Sequence, residues 1–110
     1  MSAGSSLEIG ARLDACLAQA VAADARLADV AAVIAACAEA AIDVSALIGR
    51  GSLGGDLAAQ GEHNSDGDVQ KALDVLAHER FTDALRRVPV AEVASEEAEG
   101  VMVLNAGAPL

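Results

Sequence analysis

The stretch Val88–Ala106, VPVAEVASEEAEGVMVLNA, decides how this chain is built. Its two Val-rich runs, VPVAEVA and GVMVLNA, read as short strands, and SEEAEG between them reads as their connection. The strand-like run from Val88 to Ala94 ends by placing two adjacent carboxylates, Glu96 and Glu97, behind a single Ser95. Either the strand surfaces there into a solvated turn, or its end holds acids for a purpose. Two carboxylates about 4 Å apart repel by about 4 kcal/mol at an effective dielectric near 20, which water removes and a divalent cation reverses. Magnesium takes oxygen ligands in an octahedron and keeps water and phosphate in its shell, so a few carboxylates at strand ends suffice for it.

Upstream of this stretch the text is helical. Ser5 and Glu8 have the spacing of a capping box, and Ile9, Leu13, Leu17 and Val21 follow at a helical repeat, which predicts a first helix from Ser5. Asp29 offers a second start, followed by Val30, Val33, Ile34, Cys37, Ala41, Val44 and Ile48, with Gly49 as a left-handed stop. Neither helix buries its stripe alone, so the two are expected to pair. From Arg50 to Asp68 the glycines and short polar residues of RGSLGGDLAAQGEHNSDGD predict a long loop, and loops of that length in a compact chain are mobile or functional. A third helix opens near Asp66 or Asp68, carries Leu73, Leu76, Ala77, Ala84, Leu85 and Val88 on one side, and is ended by Pro89. Helices followed by strands give an α+β or layered α/β fold, not a bundle.

The totals narrow the classes further. With 110 residues the chain has one domain as its ceiling, and with Phe81 its single aromatic residue the core must come from Ala, Val, Leu and Ile on closely packed helices. A formal charge of -10 excludes a basic patch for nucleic acid or an anionic membrane. Asp24, Arg26, Asp29, Glu39 and Asp43 interrupt the Ala-rich run, so no membrane span is expected. Cys16 and Cys37 have no CxxC or histidine at metal-ligand spacing and read as buried, reduced thiols, and MSAGSSLEIGARLD lacks the pattern of a secretory signal; both point to the cytoplasm. After GVMVLNA, the ending AGAPL leaves a sheet edge without visible protection.

Four acids are candidates for chemistry. Asp68 reads as a helix N-cap or a ligand at the loop-to-helix junction, and Asp74, bordering the apolar stripe, as a carboxylate paired with Lys71 or a site residue. Six residues apart on a helix they are rotated by about 240°, so they need a third element to meet. Glu96 and Glu97 read as a solvated turn or a metal site. Other patterns fail: EHNSDGD has its glycine misplaced for a calcium loop, His78-Glu79 has no second histidine for a zinc protease, and GRGSLGGD lacks the Lys-Ser or Lys-Thr of a P-loop. His63 reads as a loop histidine and His78 as a helix-surface one.

Taken together, GDVQKALDVLAHERF, VAEVASEEAEGVMVLNAG and the earlier SALIGRGSLGG resemble, in order and spacing from about Ile34 to Leu110, the N-terminal part of class 1 fructose-1,6-bisphosphatase of the proteobacterial type. The resemblance implies a layered α/β sugar-phosphatase fold in which this chain supplies three N-terminal helices, a mobile loop and the first two strands of a larger sheet. It implies hydrolysis of the 1-phosphate of fructose 1,6-bisphosphate with magnesium, in gluconeogenesis or a photosynthetic carbon cycle. It makes Glu96 a bridging metal ligand, Asp68 a further metal contact, Asp74 and Glu97 the pair that orients and deprotonates the attacking water, and residues 50–67 a flexible loop that closes over the site. The family is homo-oligomeric, with tetramers. The family's Asp-Pro-Leu-Asp-Gly-Ser-Ser segment is expected beyond Leu110, so the chain reads as one sugar-phosphatase domain truncated there, without substrate-binding residues and inactive alone. The AMP-binding pattern of some relatives is not recognisable in AVAADARLADV (residues 20–30). The rival readings are a sedoheptulose-bisphosphatase fragment and a small acidic helical interaction protein without catalysis.

Overall fold

The computed structural model describes residues 10–49 and 66–110, with side chains in the second span from Gln70 onward. In chain order these form α1 (Leu13–Ala23), a 3₁₀ turn (Ala25–Leu27), α2 (Ala28–Gly49), α3 (Asp66–Leu85), β1 (Glu92–Ala94) and β2 (Val101–Val103). The strands make an antiparallel hairpin with Glu92 opposite Val103, Val93 opposite Met102 and Ala94 opposite Val101. Three helices ahead of two strands is the order the sequence predicts, and among the described residues the sheet has these two strands. Residues 50–65 of the expected loop lie outside the described residues, and its last three, Asp66, Gly67 and Asp68, already belong to α3.

The helix starts differ from the reading of the sequence. Gly10 has φ +90° and Arg12 is extended, so α1 begins at Leu13 and not at Ser5, whose capping box lies outside the described residues. The second helical run is capped by Asp24, not Asp29. There the backbone breaks to φ -149°, and the carboxylate accepts the Arg26 N–H at 3.0 Å and pairs with the Arg26 guanidinium at 2.9 Å. Asp29 instead sits in the first turn of α2, where a negative charge also favours the helix. Gly49 is the last residue of α2 and does not adopt a left-handed φ.

α1 and α2 lie against each other as expected, with Leu17 and Val21 facing Ala28, Ala31 and Ala35, but α1 contributes no buried residue. The core lies between α2 and α3, where Ala36, Ala40 and Ala84 are buried and Phe81 and Val88 pack against them. Alanines let two helix axes approach closely, but each buries little area, so this contact relies on fit more than on transfer energy. The molecule is correspondingly drawn out: its radius of gyration is 17.7 Å, against about 13 Å for a compact domain of about 100 residues.

Helix α2 with the 3₁₀ turn before it, Ala25–Gly49, is long and apolar enough to cross a membrane by length and composition, although the sequence reading set this run aside for its charges. Core helices share those two properties. Here Ala36 and Ala40 are buried against α3, and Glu39 and Asp43 share a groove with Arg80, Asp83 and Arg87 of the α3 side.

α3 stops four residues before Pro89. The Arg86 N–H still reaches the Thr82 carbonyl at 3.0 Å, but the Arg87 N–H bonds Ala84, three residues back, at 3.2 Å. Proline disfavours helical backbone in the residue before it and has no N–H to continue the ladder. The run Val88–Ala91 is therefore held by other means than strand pairing, and β1 is shorter than its valines predict. Asn105 Nδ2 donates to the carbonyls of Val88 at 3.0 Å and Val90 at 2.9 Å. The Leu110 N–H donates to the Pro89 carbonyl at 3.2 Å, and the Ala91 N–H donates to the Leu110 carbonyl. The Pro-Leu ending thus lies along residues 89–91, outside both strands, and Val101 and Val103 point outward, 58% and 63% exposed.

Candidate active-site cleft

A helix face is set by steps of three and four residues, and Asp74, Ala77, His78, Phe81, Thr82 and Leu85 form one such face of α3. This face adjoins the one that meets Ala36 and Ala40 of α2, with Phe81 touching both, and it turns toward the hairpin. With Val93, Ala94, Ser95, Glu96 and Glu97 it lines an open cleft of about 420 Å³. Asp74, Glu96 and Glu97, three of the four candidate acids, therefore share one cleft.

The acid pair is carried by a tight turn. The Ala98 N–H donates to the Ser95 carbonyl at 3.2 Å, which puts Glu96 and Glu97 at the two central positions of a β-turn. Inside it the Glu97 N–H donates to Ser95 Oγ at 3.2 Å, the side-chain-to-backbone bond that serine favours in turns. Gly100, at φ +70°, supplies the left-handed residue that returns the chain to β2. Ser95 Oγ also lies 2.8 Å from Nδ1 of His78 on α3, and the two share a hydrogen bond. Reading His78 as a helix-surface residue missed this contact: it is half-buried. Its place four residues after Asp74, on the face that carries Phe81, was the available signal.

Asp74 is bonded otherwise than expected. Gln70 Nε2 donates to Asp74 Oδ1 at 3.0 Å from one turn earlier, while Lys71 is exposed and forms no ion pair with it. The shorter amide stands directly below the carboxylate, and the lysine keeps its ammonium in water. Among the described residues Asp74 Oδ2 has no hydrogen-bond partner, and Asp74 lines the cleft. The backbone makes Asp68 the third residue of α3, inside the helix and not at its cap; its side chain lies outside the described residues.

The carboxylate oxygens of Asp74, Glu96 and Glu97 are the hard donors that magnesium prefers. Among the described residues no three His, Cys, Asp or Glu side chains converge closely enough to hold a metal ion. The cleft thus has the right donor chemistry in an open arrangement, and all three acids are exposed. Cys16 and Cys37 are free thiols, half-buried, and neither lines this cleft.

Comparison with known proteins gives the chain its family. It is 67% identical over 105 residues to a class 1 fructose-1,6-bisphosphatase of Methylobacterium radiotolerans, a match covering 96% of this chain and 30% of that protein. It is 68% identical over 101 residues to the protein of the same description from Methylorubrum extorquens, covering 92% of this chain and 29% of the relative. One from Rhodopseudomonas palustris is 50% identical over 88 residues, 79% of this chain and 26% of its own length. No protein-family model and no solved structure matches. The chain belongs to the class 1 fructose-1,6-bisphosphatase family, and it spans about 30% of the length of the curated relatives it matches.

Proposed function

We propose that this chain is the N-terminal portion of a cytoplasmic, magnesium-dependent fructose-1,6-bisphosphatase, with the layered α/β fold of a sugar phosphatase, serving gluconeogenesis or a photosynthetic carbon cycle. The observation that carries the reading is that Asp74, Glu96 and Glu97 line one cleft in a chain 67% identical to a relative of that description. In this reading β1 and β2 begin a larger sheet completed by the rest of the polypeptide, residues 50–67 close over the cleft, and the enzyme is a homo-oligomer, tetrameric as in the family.

A phosphate monoester is anionic, and carboxylates alone repel it. Bound magnesium supplies the positive charge that offsets this repulsion and polarises the phosphoryl oxygens. Glu96, at the first central position of the turn, and Asp68, in the first turn of α3, are the residues that would hold it. Asp74 and Glu97 face the same space from the helix and the turn. Asp74 is fixed through Oδ1 by Gln70, which leaves Oδ2 to orient a water, and the pair accepts the proton that water loses as its oxygen bonds to phosphorus. The bond from phosphorus to the sugar oxygen breaks in the same displacement, and its electron pair leaves with fructose 6-phosphate.

The test is phosphate release from fructose 1,6-bisphosphate by the full-length protein as magnesium is titrated, with sedoheptulose 1,7-bisphosphate as the competing substrate. Glu97→Gln is expected to lower kcat by about 100-fold or more with the fold intact. Residues 1–110 alone are expected to release no phosphate, because a metal clamp draws its carboxylates from several segments. Failure of the wild-type full-length protein to hydrolyse either sugar bisphosphate at any magnesium concentration would overturn the reading.

A further inference from the structure

We propose that His78 is a positioning residue: through Ser95 it fixes the turn that presents Glu96 and Glu97 to the cleft and ties that turn to the helix carrying Asp74. The inference rests on the functional reading above for its consequence, and on geometry alone for its structural part. The hairpin is short, with three residue pairs, and its turn is closed by local bonds only, from Ala98 N–H to the Ser95 carbonyl and from Glu97 N–H to Ser95 Oγ. Such bonds shape the turn without setting its place relative to α3. Among the described residues the 2.8 Å contact between His78 Nδ1 and Ser95 Oγ is the one side-chain hydrogen bond that joins α3 to the hairpin. It lands on the same oxygen that holds the Glu97 N–H, so one hydroxyl connects the helix to the acid's own backbone.

The donor and acceptor count supports a positioning role. Ser95 Oγ has two lone pairs and one proton. It accepts the Glu97 N–H with one lone pair, and it either donates its proton to a bare His78 Nδ1 or accepts Nδ1–H with the other lone pair. The link persists in both tautomers, so it does not need a proton to move. An asparagine at 78 would present an amide atom close to where Nδ1 stands and could make the same bond, whereas alanine could not.

The experiment uses the full-length protein and has two readouts. One is hydrogen–deuterium exchange of the segment 95–99 without metal or substrate; the other is the magnesium concentration that half-activates phosphate release. His78→Ala and Ser95→Ala are each expected to speed exchange in the segment and to raise the half-activating concentration roughly threefold to tenfold, the equilibrium effect of one lost hydrogen bond. The double variant is expected to be no worse than either single one, and His78→Asn to stay close to wild type. If His78→Ala leaves exchange in 95–99 unchanged, or if the two single effects add in the double variant, the positioning role is wrong. If His78→Ala unfolds, Ser95→Ala against His78→Asn decides the same question: a difference between them in segment exchange supports the role, and equality overturns it. Faster exchange with an unchanged magnesium response keeps the positioning role and removes Glu96 from the metal site, which separates the two claims.

Discussion

The two faces of α3 are held to their neighbours by opposite means. Toward α2 the contact is apolar and made of small residues, with Ala84 set against Ala36 and Ala40 and Phe81 and Val88 at its margin. Toward the hairpin the helix lines an open cleft with Asp74, half-buried His78 and buried Thr82 beside Phe81 and Leu85, and the tie is a hydrogen bond between His78 and Ser95. Close-packed alanines tolerate no change of volume but carry no direction. A hydrogen bond contributes less to stability but sets a position. The difference teaches that one helix can divide its contacts by face, with close apolar packing on one side and a directional polar tie on the other.

The strongest way to sharpen that division is Glu96→Gln in the full-length protein. The amide keeps the shape of the turn while losing the charge, so we expect kcat to fall by about 100-fold or more with the melting temperature unchanged. Near-normal turnover at ordinary magnesium would place Glu96 outside the chemistry and leave the hairpin face merely structural.

Ala40→Leu probes the other face and should give the reverse pattern. Ala40 is 3% exposed against α3, and extra methylenes at such a site cost about 1–3 kcal/mol through overpacking. Chemical denaturation should show that loss, with kcat preserved in the fraction that stays folded. A fall in kcat matching that of Glu96→Gln would mean that the two faces are not independent.

A smaller effect is expected where the hairpin side carries stability of its own. Asn105→Ala removes two hydrogen bonds to the Val88 and Val90 carbonyls, at about 0.5–1.5 kcal/mol each, and releases the segment between α3 and β1. Urea denaturation should register the loss, and amide exchange should rise first in residues 88–91. Protection unchanged there would show that the Leu110 contacts hold the segment without Asn105.

The smallest effect lies at the junction of α1 and α2. The Asp24 carboxyl is held below its ordinary value of 3.8 by hydrogen bonds from the Arg26 guanidinium and the Arg26 backbone N–H. Because the native value is depressed, the contribution of Asp24 is fully present above 3.8 and is lost as pH falls through the lower native value. Circular dichroism should therefore show Asp24→Ala less helical than wild type at neutral pH, and the two alike in strong acid. A difference that persisted in acid would assign the cap to something other than the carboxylate.

Much of this architecture was legible from local signals. Pro89 ends α3 within a few residues of itself, and the valines on either side of SEEAEG mark both strands. Helix starts were less legible, since a capping box at Ser5 and an acid at Asp29 looked as good as the Asp24 that the backbone break selects. The acids of the cleft were all named from the sequence, with Asp74, Glu96 and Glu97 now on shared walls, but their neighbours were not. Gln70 under Asp74 and His78 against Ser95 depend on which side of α3 meets the hairpin, and no local pattern states that.

What the sequence determined by itself is the order and kind of the elements, the acids and the family, because these follow from periodicity, turn chemistry and motif spacing within a few residues. What only the tertiary structure decided is that α2, and not α1, closes the core with α3, and that the adjoining face of α3 meets the acid turn. Each residue advances about 100° around a helix, so which residues of α3 face the hairpin is fixed by how the helix is rotated against α2. That rotation is set by the fit of Ala84 against Ala36 and Ala40, a contact between segments separated by all of residues 50–65.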